Sequence, residues 1–159
     1  DRIRSLGVTI RTGEKITEDQ VIRAMDHAAA NGPLMNGFSV TYEVEGDTAR
    51  YVVAMEVPGG TEMVRHHRNR LAERVKQLLI VFDDELMHRN IEYQSKRDDG
   101  RIAPPRAVLL AEGSYDALRS RLAKEGKPEN QIKQPILVRP TTAGRMPREL
   151  LGMEVVSEF

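Results

Sequence analysis

The 159-residue sequence contains no cysteine and no tryptophan. Disulfides, thiol nucleophiles and thiolate metal sites are therefore excluded, and the composition fits a reducing cytoplasm. Aromatic residues make up only 4% of the chain, too little material for the base-stacking platforms that bind single-stranded nucleic acid. Charge of one sign is equally lacking. The 24 basic residues balance the 24 acidic ones, so no overall field draws the chain to nucleic acid or to an anionic membrane. No apolar run has the length of a membrane span or the layout of a secretory signal. The chain opens on Asp1 rather than methionine, as expected of a piece of something longer.

What is present is the material of one domain. With 40% hydrophobic residues the chain is long enough for a real core, and no repeat, low-complexity segment or second core divides it. Leu6 to Ile10 alternates apolar with small or polar residues and reads as a short strand, followed by a turn at Thr12-Gly13-Glu14-Lys15. Thr17 with Gln20 three residues on has the spacing of a capping box, and Val21, Met25, Ala28 and Ala29 place an apolar stripe on the helix that follows, which Asn31-Gly32-Pro33 stops. Residues 37–44 and 49–57 alternate around Glu45-Gly46-Asp47-Thr48 as a hairpin, with Tyr42 and Tyr51 as cross-strand packing residues.

Thr61 is the expected cap of the longest helix, whose apolar face carries Val64, Leu71, Val75, Leu78, Leu79, Phe82 and Leu86. The basic cluster Arg65 to Arg70 on this helix is split among its faces, which argues against a nucleic-acid surface. His66 and His67 are adjacent, the wrong spacing for two metal ligands on one helix, and Asp83-Asp84-Glu85 with His88 reads as solvated helix face; no metal site is expected. Arg106 to Leu110 is a strand, and Ser114 is the expected cap of a helix with Leu118, Leu122 and Ala123 turned inward and Gly126 at its end. Pro147 suits the first turn of a short helix, and Met153 to Val156 a terminal strand. The fold expected is α+β: a single small domain with a mixed sheet of about five strands and helices packed on it.

Between the last helix and the apolar run Ile136-Leu137-Val138 lies a polar loop bracketed by Pro128 and Pro135, and it carries Gln131-Ile132-Lys133-Gln134. A lysine on such a loop can present a mobile, strongly hydrated charge to an anion on a facing surface; the plain alternative is one more solvated lysine in a chain that is 30% charged. The order Pro-Pro, strand, Gly-Ser-Tyr helix entry, helix and Gln-x-Lys-x-Pro resembles the C-terminal end of the acyl-acid amido synthetases, the Gretchen Hagen or auxin-responsive promoter family of the adenylate-forming superfamily. Asn90-x-x-Tyr93 with Arg97 resembles that family as well, and so does the strand, Thr12-Gly13-Glu14-Lys15 and Thr-capped helix near the start. The resemblance covers roughly residues 5–139. Ile132 stands where the family has an aromatic residue, and Ile136 where it has arginine.

The resemblance implies that Lys133 is the mobile catalytic lysine, that residues 1–16 are a hinge strand and turn following an N-terminal adenylation domain, and that 17–159 form the mobile C-terminal domain. Gly13, Glu14 and Lys15 are then the hinge, and Lys15 is within reach of a phosphate. The implied enzyme adenylates a carboxylic acid with ATP and magnesium in the cytoplasm, then passes the acyl group to an amine, usually that of an amino acid. The fragment by itself would be inactive, its partner being the N-terminal domain, which binds most of the nucleotide. Two alternatives come with this expectation: a relative that uses coenzyme A as acceptor, and a non-catalytic interaction module on the same fold.

Overall fold

In a computed structural model of the chain, the structure describes residues 2–4, 7–9, 15–126, 128, 136–138 and 155–159. Among the described residues seven strands are assigned: β1 Arg2–Arg4, β2 Gly7–Thr9, β3 Lys15–Thr17, β4 Gly37–Glu45, β5 Thr48–Glu56, β6 Arg106–Leu110 and β7 Val155–Glu158. Four helices accompany them: α1 Glu18–Ala29, α2 Gly60–Arg89, α3 Ile91–Asp98 and α4 Ser114–Lys124. The main sheet has the order β4-β5-β6-β7, with β5 and β6 parallel and both outer pairs antiparallel. Residues 136–138 extend its β4 edge through a parallel bridge between Val40 and Leu137. This is the mixed sheet that the alternating segments imply, in an α+β domain. Strands β1, β2 and β3 form a small antiparallel sheet of their own. The short helix at Pro147 lies outside the described residues, as does Met153, the expected start of the terminal strand.

Alternation on the central strands explains the layering. Tyr51, Val53 and Met55 of β5 join Ala107 and Leu109 of β6 in the larger core, while Val52, Ala54, Val108 and Leu110 face a smaller one. A strand buried on both faces needs apolar residues at successive positions, which is the composition of both strands. The larger core is closed by the buried faces of α1, α2 and α3, and the smaller by Tyr115 and Leu118 of α4. Parallel pairing of β5 with β6 demands a long crossover, which α2 and α3 supply. Tyr42 and Tyr51 lie opposite each other in the β4–β5 register, with ring centroids 6.2 Å apart in an edge arrangement. Among the described residues no helix is long and apolar enough to cross a membrane.

The capping box at Thr17 forms as its spacing requires: Thr17 Oγ1 accepts from the Gln20 amide at 3.2 Å, and Gln20 Oε1 accepts from the Thr17 amide at 3.1 Å. Thr17→Ala is expected to destabilise the domain by about 1 kcal/mol, read as a fall of roughly 2–4 °C in the thermal midpoint; an unchanged midpoint would show that the cap is energetically silent. At the far end of α1, Gly32 is dictated by close approach, since a Cβ there would stand 2.6 Å from Leu78 Cδ1.

The other two caps differ from expectation. Helices α2 and α4 begin at Gly60 and Ser114, after glycines at left-handed φ of 69° and 85°, and neither has a side-chain cap. The chain turns too sharply out of β5 and β6 for an extended Thr or Ser to enter the helix, and glycine takes that turn at little cost. Ser114 instead donates to the Ala111 carbonyl at 2.5 Å. Ala123 is exposed rather than turned inward, because α4 meets the sheet through its N-terminal half. Helix α3 has no counterpart in the sequence reading.

Candidate functional site

The lysine segment is strung between two described anchors. Helix α4 ends at Lys124, with Gly126 at φ 90° just beyond it. The chain returns at Ile136, whose carbonyl accepts from the Val40 amide at 2.6 Å, while the Val138 amide donates to the Val40 carbonyl at 2.8 Å. Ile136 and Leu137 pack against the larger core, and Val138 is buried. Lys133 itself lies outside the described residues, with the rest of Gln131 to Pro135; so do Gly13 and Glu14. Lys15 is the first residue of β3, paired in register with Thr9. The next residue, Ile16, is fully buried among the α1 and α2 core residues.

A polar network joins the two anchoring elements. Ser39 Oγ of β4 and Tyr115 Oη of α4 share a buried hydrogen bond of 2.8 Å. The Tyr115 amide donates to Glu56 Oε1 at 3.0 Å, and Asn36 Nδ2 donates to Glu56 Oε2 at 3.2 Å. Burial pushes the Tyr115 phenol well above its ordinary range. Sequence reasoning missed this network. Its one legible signal is a glutamate that directly follows the apolar run Val52–Met55, a position at which a carboxylate needs donors.

Two of the family-like residues, Tyr93 and Arg97, meet at a residue the charge run disguised. Asp83 is buried, not solvated. Its Oδ1 accepts from Tyr93 Oη at 2.6 Å, and its two oxygens take Arg97 Nε at 3.0 Å and Nη2 at 2.7 Å. Asn90 caps α3 by accepting from the Tyr93 amide at 2.9 Å. The bond to Asp83 holds the Arg97 guanidinium more firmly protonated than usual, and burial first, then the Asp83 charge, pushes the Tyr93 phenol upward. These residues lock α3 onto α2. That is a structural assignment.

Two further charged clusters are largely paired within the domain. A groove of about 590 Å³ beside α2 is lined by Arg50, Arg68, Lys76, Arg106 and Phe159 among others. Within it Arg106 binds Glu43 and Glu158, Arg50 stands 3.8 Å from Glu43, and Arg68 lies 5.0 Å over the Phe159 ring. The Arg106 bond holds the Glu43 carboxyl below its ordinary range. Asp84, Glu85 and His88 bring possible ligand atoms within 4.8 Å of one another, but all three sit on one helix face, where Glu85 is bonded to Arg89 and His88 to the Asp84 carbonyl. For phosphate, the described glycine pair Gly59–Gly60 offers no cradle: Gly60 is buried, and a Cβ on it would lie 3.3 Å from both Leu109 methyls.

The model of the GH3 family C-terminal domain matches residues 19–142. A solved structure of GH3.15 acyl acid amido synthetase is similar at 20% identity and a TM-score of 0.71, covering 98% of this chain and 27% of that one. Another, AtGH3.15 acyl acid amido synthetase in complex with 2,4-DB, is similar at 18% identity and a TM-score of 0.71, again over 98% of this chain and 27% of that one. At these identities the likeness is one of fold. No curated protein matches the chain.

Proposed function

The chain belongs to the GH3 (Gretchen Hagen) family, as its C-terminal domain, and from that premise we propose that it is the mobile domain of a cytoplasmic, ATP-dependent acyl-acid amido synthetase. The enzyme forms an acyl-adenylate from a carboxylic acid and ATP, releasing pyrophosphate, and an amine such as that of an amino acid then displaces AMP. The observation that carries this reading is the return of the chain onto β4 at Val40. Lys133 stands three residues before Ile136 in the sequence, within the Gln-x-Lys-x-Pro segment that supports its assignment as the catalytic cation. A cation delivered there for one step stabilises charge in the transition state without trapping the product.

ATP and its magnesium are assigned to the larger N-terminal domain, since the described residues include no loop fitted to phosphates. Lys15 is a secondary phosphate contact in one orientation of the domain. An assay that offers an amine and the thiol of coenzyme A side by side checks the acceptor: amide product alone is expected, and a thioester product would transfer the chain to the coenzyme A-using relatives.

The hinge is placed at Gly13, Glu14 and Lys15. Ile16 is packed in the domain core, so a pivot has to precede it. The β2–β3 pairing around this turn spans only three residue pairs, short enough for a swing to break or carry along. Gly13→Pro in the full-length protein is expected to slow turnover by roughly an order of magnitude through one of the two half-reactions, with the thermal midpoint of this domain scarcely moved. Unchanged steady-state turnover would remove the hinge from Gly13.

A further inference from the structure

Helix α2 carries a second stripe beside the one that closes the larger core. Arg68, Ala72, Lys76, Leu79 and Ile80 recur at helical spacing along one side of it. Ile80 is 52% exposed there, a large apolar side chain that the sheet does not cover. With Pro104, Pro105 and Phe159, this stripe lines the groove of about 590 Å³. The volume lies in the range of small-ligand sites, and apolar walls with a few charged groups are their usual composition. A stable protein partner needs a face of roughly 800 Å², more than a groove of this size offers.

The charges around the groove decide the class of ligand. Arg106 is neutralised by Glu43 and Glu158, Arg50 shares Glu43 at 3.8 Å, and Asp83 is taken by Arg97 and Tyr93. Two cations remain. Arg68 donates to the Glu158 carbonyl at 2.9 Å and lies over the Phe159 ring, and neither contact cancels its charge. Lys76 is exposed and has no ion-pair partner among the described residues. In a chain without net charge, this local excess of positive charge beside apolar walls complements a molecule with an apolar body and one negative end. A guanidinium and an ammonium suit a carboxylate, the first as a planar fork and the second as a mobile point charge.

We propose that this groove binds a small amphipathic carboxylate, with its hydrocarbon body against Leu79, Ile80 and Phe159 and its charged end at Lys76 and Arg68. The proposal does not rest on the role of Lys133.

The test uses the full-length protein and decanoic acid carrying a terminal diazirine, photo-crosslinked and mapped by peptide mass spectrometry. Expected is saturable labelling of peptides that hold Leu79 and Ile80 or Pro104 and Pro105, competed by decanoate and not by decylamine, which has the same chain and the opposite charge. Lys76→Glu should raise the concentration for half-maximal labelling by about fivefold or more, and Ile80→Asp by roughly tenfold. Lys76→Arg keeps the charge and should stay within about twofold of wild type. Both side chains are exposed, so the thermal midpoints of these variants should stay within about 2 °C of wild type. Absence of saturable labelling at these peptides overturns the proposal. So does labelling unchanged in Lys76→Glu, or equal competition by decylamine, because the rim would then not select negative charge.

Discussion

Replacing Asp83 with alanine is expected to destabilise the domain by about 3–5 kcal/mol, the usual cost of removing one partner from a buried ion pair. The carboxylate accepts from both Arg97 and Tyr93, and little of it is exposed. Its removal leaves a largely buried guanidinium and a buried phenol without that acceptor, so the unfavourable burial remains after the attraction has gone. In a domain of this size that corresponds to a fall of roughly 10 °C or more in the thermal midpoint. Asp83→Asn keeps an acceptor for Tyr93 but not the charge, and should fall between the two. A combined Asp83→Leu, Tyr93→Phe, Arg97→Met variant removes both partners together and should recover much of the loss, since apolar replacements of buried ion pairs are often neutral. If Asp83→Ala melts within a degree or two of wild type, the pair is a surface pair in solution and the locking of α3 onto α2 has another source.

How much of this was legible in the sequence divides along the range of the interactions. The Thr17 box and the β4–β5 hairpin with its Tyr42–Tyr51 pair depend on residues a few positions apart, and periodicity reports them directly. The apolar stripe of α2 was legible for the same reason, with Leu71, Val75, Leu78, Phe82 and Leu86 all buried. Asp83 was not, because the run Asp83-Asp84-Glu85 looks solvated until α3 folds back. The polar residues Tyr93 and Arg97, one turn apart on a short segment, were the signal that a partner was needed. The glycine helix starts were misread because Ser and Thr carry the stronger capping preference, whereas the tight exits from β5 and β6 require positive φ at Gly59 and Gly113. The buried network that joins β4, β5 and α4 was not legible either. Ser39, Glu56 and Tyr115 are separated by 59 and 76 positions along the chain, and no local pattern links them.

The larger functional effect is expected at Lys133. Its ammonium is proposed to act only while a carboxylate approaches the α-phosphate of ATP, when two negative groups must be brought into contact. Loss of one well-placed transition-state charge is worth ~3 kcal/mol or more, about a hundredfold in rate. The amide step offers no such encounter, because the acyl-adenylate is already formed and the amine is neutral when it attacks. Stability should also be preserved, since a loop lysine between prolines contributes little to the core. The decisive measurement is acid-dependent ATP–pyrophosphate exchange by full-length Lys133→Ala, set beside amide formation from supplied acyl-adenylate: exchange should fall by about a hundredfold or more with the amide step near wild type, and wild-type exchange would contradict the assignment of Lys133 as the catalytic cation.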